Sequence, residues 1–233
     1  MEQNCSKRVR TCMASSDLTK IASDPQSFPR RTFLYLLGGG AVLLGAGSSL
    51  QSMLGSSSLG KSSGLDGYHI YTVSGGYPTM DPTTYRLEVS GALANPMSLS
   101  LGDLQSFGHS QLTATFQCVT GWQVPNQLFS GVFLSDLIAK ARPTSMAKFV
   151  HFTSFDNIYT ESISIEDVAK YNVMVVTQLD NMPLTVEHGA PVRIFMPHNF
   201  GYKSIKWLSK IELTPVETQG YWENYGYPSN AQI

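Results

Sequence analysis

Two stretches of this sequence carry the residue types that could bind a metal and an anion. The first, residues 118–125, reads Cys-Val-Thr-Gly-Trp-Gln-Val-Pro and places a single thiol before a tight turn. A thiolate is a soft ligand that suits redox-active transition metals. Cys118 is therefore a candidate metal ligand, which would bind as the deprotonated thiolate. The alternative for this residue is a small, buried hydrophobic side chain.

The second stretch, residues 188–207, combines basic side chains with a hydroxyl and glycines. Arg193, Lys203, Ser204 and Lys206 lie close together in it. A guanidinium can bind a phosphate through two hydrogen bonds, and glycine lets the backbone approach an anion closely. The stretch predicts a site for an anionic cofactor, with backbone amides and two ammonium groups in one loop. The alternatives are a surface ion pair for Arg193 and a hairpin with two solvated lysines.

The pattern of cysteines and histidines does not favour zinc. A structural zinc site needs about four protein ligands and a catalytic one about three. The three cysteines form no CxxC pattern, and the five histidines form no HxxxH pattern. A nucleophilic Cys–His pair stays open, because a histidine can be close to Cys118 in space without being close in sequence.

The N-terminal region differs from the rest of the chain in charge and composition. Residues 1–59 carry six basic and three acidic residues, whereas the remainder carries 10 basic and 14 acidic ones. Pro29-Arg30-Arg31-Thr32-Phe33-Leu34 has the twin-arginine pattern of an export signal. Glycines 38–40 weaken the following apolar stretch as a membrane span. The alternative is an arginine pair at the border of an ordinary membrane anchor.

These features predict three segments. We expect a twin-arginine signal over residues 1–47, a flexible Ser/Gly-rich linker over residues 48–66 and one functional domain over residues 67–233. The protein would then be periplasmic or otherwise extracytoplasmic, and an uncleaved signal would tether it to the membrane. The formal net charge of −1 gives no basis for nucleic-acid binding.

Strand patterns dominate the domain, and short helices fill the connections. Leu134, Leu137, Ile138 and Ala141 recur at helical spacing, and Ser100 begins a capping box before a helix over residues 101–107. Strands are predicted over residues 85–90, 111–118, 148–154, 159–163, 173–179, 192–196 and 206–213. Cys118 would end the second of these strands, on its buried face. This order predicts an α+β domain with mixed sheets.

The motifs together resemble the molybdopterin-binding domain of the sulfite oxidase family. The resemblance runs in matching order from Thr84 to Tyr227. It covers Thr-Phe-Gln-Cys-Val-Thr-Gly-Trp at residues 115–122, the basic stretch, and Gly-Tyr-Trp-Glu-Asn-Tyr-Gly-Tyr at residues 220–227. It implies the strand-rich fold of that family and a molybdenum–molybdopterin cofactor, in which the pterin supplies the remaining sulfur ligands.

The resemblance also implies roles for individual residues. Cys118 would bind molybdenum. Apart from the resemblance, Tyr202 and Trp122 are candidates to line the substrate mouth, with a catalytic role for Tyr202, and the alternative for both aromatic residues is packing. The residues expected to contact the pterin or its phosphate are Ser154, His188, Arg193, Ser204, Ile205 and Lys206. His188 departs from the family pattern, since related bacterial protein-methionine-sulfoxide reductases often have asparagine there. No match to their N-terminal cofactor contacts is found before Thr84.

The sequence thus predicts an exported molybdopterin oxidoreductase that transfers an oxygen atom at a Cys118-ligated centre. The substrate would be a small-molecule or protein-bound oxide, or sulfite. Sulfite sites in relatives use several arginines, and this domain has three, Arg86, Arg142 and Arg193, which favours a neutral oxide. Electrons would pass singly through a separate partner, a membrane heme protein or a soluble cytochrome. The alternative is a non-catalytic exported binding module that keeps the fold without the metal.

Overall fold

The computed structural model describes residues 67–233, and the predicted signal and linker lie outside these residues. The described part contains two five-stranded sheets and three short α-helices. Within residues 67–233, no helix is long and apolar enough to cross a membrane.

The helices and strands follow one another in short connections. In chain order they are β1 (Leu87–Gly91), β2 (Met97–Leu99), α1 (Leu101–Ser106), β3 (Ser110–Gln117), β4 (Gln123–Phe133), α2 (Leu134–Ala141), β5 (Phe149–Ser154), β6 (Thr160–Ser164), α3 (Ile165–Lys170), β7 (Met174–Leu179), β8 (Met182–Pro183), β9 (Arg193–Phe195) and β10 (Leu208–Thr214). Two 3-10 turns, Gly201–Lys203 and Glu223–Tyr225, flank β10 in sequence.

The first sheet has the order β2-β1-β10-β5-β6 and is mixed. Strands β1 and β10 run parallel, and the other pairs are antiparallel. Gly91 ends β1 with a φ of 96°, and a Cβ there would lie 2.2 Å from the carbonyl oxygen of Leu213. Only glycine therefore allows β1 and β10 to stay this close at Gly91.

The second sheet has the order β3-β4-β7-β8, and β9 also pairs with β7. All of its strand pairs are antiparallel. A small aromatic core that includes Phe116, Phe129 and Phe195 packs on this sheet. The rings of Phe129 and Phe195 stack with centroids 3.6 Å apart. This core lies directly beneath the ends of β3 and β9, from which the candidate site is built.

The predicted fold class, a strand-rich α+β domain with mixed sheets, is confirmed. The helix pattern is confirmed in α2, whose four periodic residues are all buried. The capping box is confirmed in α1, where Ser100 and Asp103 cap each other's backbone amides. Strand β4 was not predicted, because Pro125, Asn126 with a φ of 58° and two register shifts interrupt its alternation.

Candidate functional site

The thiol of Cys118 lies in a closed turn between β3 and β4. The backbone amide of Cys118 donates to the carbonyl of Trp122 at 2.9 Å, and the amide of Gly121 donates back to the carbonyl of Cys118 at 3.1 Å. Gly121 has a φ of 98°, which glycine adopts without strain. The hydroxyl of Thr120 donates to the sulfur at 3.2 Å.

The prediction for Cys118 needs one correction. The residue lies one position beyond β3 and is partly exposed, rather than sitting on the buried face of the strand. The turn begins at this residue, so the strand alternation no longer decides which way its side chain points. A partly exposed thiol is more accessible to a ligand than a buried one would be.

Arg193 is buried at the start of β9 and connects the two halves of the basic stretch. Its guanidinium donates to the carbonyls of His188 and Ser204, each at 3.0 Å, and to that of Ile194 at 3.3 Å. Burial lowers the pKa of Arg193 to about 10, so the group stays cationic at neutral pH. Three of its five N–H groups are thus used on the protein.

Lys206 is the second cation of the site. Its ammonium donates to the carbonyls of Tyr71 at 2.8 Å and Glu187 at 3.1 Å, and it lies 4.5 Å from the ring centre of Trp207. Burial and the nearby charge of Arg193 together lower the pKa of Lys206 to about 7, although Glu187 acts in the opposite direction. The two cations are therefore close enough to repel each other, and a bound anion would relieve that repulsion.

Lys203 is not available to an anion, contrary to the prediction. Its ammonium lies 2.5 Å from a carboxylate oxygen of Glu161 and 2.6 Å from one of Glu223, and all three side chains are buried. The 3-10 turn that starts at Gly201 points Lys203 away from Lys206. The spacing of Lys203 and Lys206 along the sequence does not reveal that they point to different sides, because the turn rotates successive side chains.

The expected nest of backbone amides is also not formed. The amides of Lys203, Ser204 and Ile205 bond to carbonyls of residues 200, 201 and 203 inside the turn itself. Ser204 is buried, and its hydroxyl accepts from the amide of Met196 at 3.0 Å. Ile205 is buried in the core. These two residues therefore hold the loop in place, and their direct contact with a cofactor stays a prediction.

The N-terminal segment, residues 68–77, joins the Cys118 turn to the basic stretch. The ring of Tyr68 lies 5.9 Å from that of Trp122 and 4.7 Å from that of His188. Lys206 bonds to the carbonyl of Tyr71, as given above. Sequence reasoning found no contacts before Thr84, because this segment has neither strand nor helix periodicity. The aromatic residues of this segment were the available sequence signal, but aromatic content alone does not show which residues they contact.

Ser154 and Tyr202 are engaged in protein contacts. Ser154 is fully buried, and its hydroxyl donates to Asp156 and accepts from the amide of Tyr159. This geometry does not support the predicted contact between Ser154 and a cofactor, because the hydroxyl faces its own loop. The phenol of Tyr202 donates to the carbonyl of Pro228 at 2.7 Å. Tyr202 is half-buried, and its catalytic role stays a prediction.

The donors at the site fit an anionic, sulfur-containing group. Within residues 67–233, neither Arg193 nor Lys206 has a carboxylate within ion-pair distance, although the charge of Glu187 acts on Lys206 from farther away. The indole N–H of Trp122 is buried and has no acceptor among the described residues. Two cations, one unused donor and one accessible thiolate on adjoining loops match an anion that is tethered to a soft metal.

Comparison with known proteins decides the family. Residues 74–222, well over half of the chain, match the oxidoreductase molybdopterin binding domain. The chain belongs to this family. The match begins ten residues before Thr84 and therefore includes Tyr77, whose ring lies 6.4 Å from that of Trp207. The protein is a molybdenum-dependent oxidoreductase whose cofactor is molybdenum–molybdopterin.

Several relatives are similar over about 60% of this chain. The uncharacterized oxidoreductase YuiH of Bacillus subtilis is 32% identical over 147 residues, which are 63% of this chain and 74% of that protein. The protein-methionine-sulfoxide reductase catalytic subunit MsrP of Campylobacter jejuni is 30% identical, over 60% of this chain and 52% of its own length. Human mitochondrial sulfite oxidase is 29% identical, over 64% of this chain and 33% of its own length.

A solved structure has the same fold. The sulfane dehydrogenase SoxCD from Paracoccus pantotrophus aligns with a TM-score of 0.57 and 22% identity, over 64% of this chain and 42% of that chain. The predicted sulfite-oxidase-type architecture is therefore confirmed. The chain spans about half of the methionine-sulfoxide reductase subunit and a third of sulfite oxidase.

Proposed function

We propose that this protein reduces a neutral oxide by removing its oxygen atom at a molybdenum centre ligated by Cys118. Trp122, Arg193 and Lys206 would hold the pterin and its phosphate, and His188 would contact the pterin. When bound, the cofactor supplies the redox-active metal and the two-electron chemistry. The chain's own part is to orient that group, to balance its charge and to shape the approach to the sulfur.

The observation that carries this proposal is the pairing of an accessible thiol with two cations that have no carboxylate partner in the described part of the chain. Buried cations normally pair with an acid, because desolvating an unpaired charge is costly. Here both donate only to backbone carbonyls. A phosphate placed between them would compensate their charges, and the nearby thiolate would fix the metal end of the same ligand.

Among residues 67–233, no free arginine lies at the approach to Cys118, which favours a neutral oxide over sulfite. Arg193 is buried against carbonyls, and Arg142 lies at the C-terminal end of α2. Arg86 donates to the carbonyl of Tyr85. The relative MsrP is named a protein-methionine-sulfoxide reductase, and methionine sulfoxide is a neutral oxide. An anionic oxide would need a cationic pocket that these three side chains do not supply.

We also propose that the protein is exported in folded form by the twin-arginine machinery and that a separate one-electron redox protein serves it. The pattern at Arg30 and Arg31 supports export. Replacing both arginines by lysine should keep the protein and its molybdenum in the cytoplasm. An unchanged distribution in cell fractions would refute this route.

The test of the metal centre is metal analysis of the natively produced protein and of Cys118→Ala. We expect about one molybdenum per chain in the wild type and a loss in the variant, because one thiolate anchors the metal. Thr120→Val is the matched control, since it removes the hydroxyl that contacts the sulfur and keeps the thiol. A metal-free wild type from a host that makes the cofactor would refute the proposed Cys118-ligated centre.

A further inference from the structure

A buried ionic cluster includes Lys203, in the turn just before Ser204, and is not among the proposed cofactor contacts. It consists of Glu161 on β6, Lys203 and Glu223, and is called here the Glu–Lys–Glu cluster. The side chains are 0%, 2% and 3% exposed. Two carboxylates share one ammonium, so full ionisation would leave a net negative charge in the interior. Such an uncompensated buried charge is costly, and the cluster reduces the cost by taking up a proton.

The geometry of the carboxylates agrees with one extra proton. Oε1 of Glu161 and Oε2 of Glu223 are buried and have no hydrogen-bond partner among residues 67–233. A Cβ on Gly220 would lie 2.3 Å from Oε2 of Glu223 and 2.7 Å from Oε2 of Glu161. Both acids therefore converge on one backbone position. Burial raises the pKa of Glu161, although Lys203 acts in the opposite direction and Glu223 adds to the increase.

The other ionisable groups around Glu161 do not neutralise it. The phenols of Tyr159, Tyr202 and Tyr221 lie on the neighbouring elements, and burial raises the pKa of each of them. These groups stay neutral at ordinary pH. Glu217 lies across the adjacent cavity and adds negative charge. Lys203 is thus the cation that faces both acids of the cluster.

A cavity of about 330 Å³ borders the cluster. Its lining residues include Lys203, Glu223 and Tyr227. Burial raises the pKa of the Tyr227 phenol, and an electrostatic interaction with Cys118 adds to the increase. The turn that carries Lys203 also contacts the end of β3, since a Cβ on Gly201 would lie 3.3 Å from the carbonyl oxygen of Gln117.

We propose that the Glu–Lys–Glu cluster stores one exchangeable proton on Glu161 and delivers it, past the Lys203 turn that contacts the end of β3, to the oxygen that leaves the oxide at Cys118. This step rests on the proposed function. Reduction of an oxide breaks one bond to oxygen, consumes two electrons and two protons, and releases water. The electrons come singly from a one-electron redox protein. Glu161 supplies one proton, solvent supplies the other, and solvent then reprotonates Glu161 through the cavity.

Infrared spectroscopy of the full chain tests the proton store without any turnover. We expect the C=O stretch of a protonated carboxyl group at pH 7 that disappears as the pH rises. Glu161→Gln and Glu223→Gln should each remove this band, because a single carboxylate and Lys203 form a neutral pair. Glu212→Gln is the matched control, since Glu212 pairs with Lys210 at the surface. A wild type without the band would overturn the proposal.

The pH profile of the loaded enzyme tests delivery. Both variants of the cluster should lower kcat roughly tenfold or more at neutral pH and leave KM unchanged, because a positioned proton donor contributes about 100-fold or more. The two cluster variants could instead give the same pH profile of kcat as Glu212→Gln while the wild type shows the infrared band. The cluster would then have a structural role only, and the proposed proton delivery would be refuted. A chain without molybdenum would refute the proposed function and the delivery step, while the titrating band would stand on its own.

Discussion

Replacing Lys203 should destabilise the protein far more than replacing either acid next to it. In the wild type, carboxylate oxygens of Glu161 and Glu223 both lie within 2.6 Å of the Lys203 ammonium. Lys203→Gln removes this cation and leaves the two acids buried without one. Glu161→Gln instead leaves a neutral Lys203–Glu223 pair. The two substitutions are similar in size and each removes one ionisable group, so a difference between their free energies of unfolding measures the excess negative charge of the cluster.

The expected magnitude follows from the burial of the cluster. Removing one partner of a buried ion pair costs about 3–5 kcal/mol, and here two acids lose their partner. Glu161→Gln should cost at most about 1.5 kcal/mol, the range of one hydrogen bond. Lys210→Gln breaks a pair whose side chains are 40% and 34% exposed, and should cost about 1 kcal/mol or less.

The cost should also depend on pH. Burial raises the pKa of Glu161 above its unfolded value. The stability that this protonated group contributes is fully present below the unfolded pKa, and it is lost as the pH rises through the folded pKa. Lys203→Gln removes the cation that opposed the increase. The gap between this variant and the wild type should therefore be larger at pH 8 than at pH 5.5.

Urea unfolding of the full chain, followed by tryptophan fluorescence at both pH values, measures these differences. The three variants are compared at equal cofactor content, because a bound cofactor adds its own stabilisation. If Lys203→Gln unfolds within about 1 kcal/mol of Lys210→Gln at both pH values, the cluster does not hold uncompensated acids. The reasoning about the proton store would then fail with it.

Three further predictions concern the site and the sheets. Binding of inorganic phosphate to the cofactor-free chain should weaken about tenfold between pH 6 and pH 8, because Lys206, whose pKa is about 7, must be protonated to bind an anion. Calorimetry should show this pH dependence of the affinity in the wild type and its loss in Lys206→Met. A pH dependence that persists in the variant would contradict the prediction. Trp122→Phe should lower the molybdenum content while the midpoint of urea unfolding stays nearly unchanged, because the indole N–H of Trp122 donates to no acceptor within residues 67–233. An unchanged molybdenum content would contradict this prediction. Gly91→Ala should lower the free energy of unfolding in urea by about 1–3 kcal/mol, because the Cβ of alanine would overlap the carbonyl of Leu213. An unchanged free energy would show that β1 and β10 can separate freely.

Much of the local structure followed from short-range patterns. The spacing of Leu134, Leu137, Ile138 and Ala141 predicted α2 because one helix face must be apolar to pack on a core. Asp180 and Asn181 both adopt a positive φ in the turn between β7 and β8, a conformation that these residue types tolerate. Strand β4 escaped prediction because a bulged strand has no regular alternation.

The sequence by itself determined the chemistry that this protein can perform, whereas the tertiary structure decided which residues are free to perform it. The lone thiol at Cys118 and the basic stretch identified the family, because ligand type and order along the chain survive without coordinates. The sequence did not separate Lys206, which faces the site, from Lys203, which is buried between two acids from distant elements. Charge compensation depends on distances across the fold, and these are set by how the turns orient each side chain.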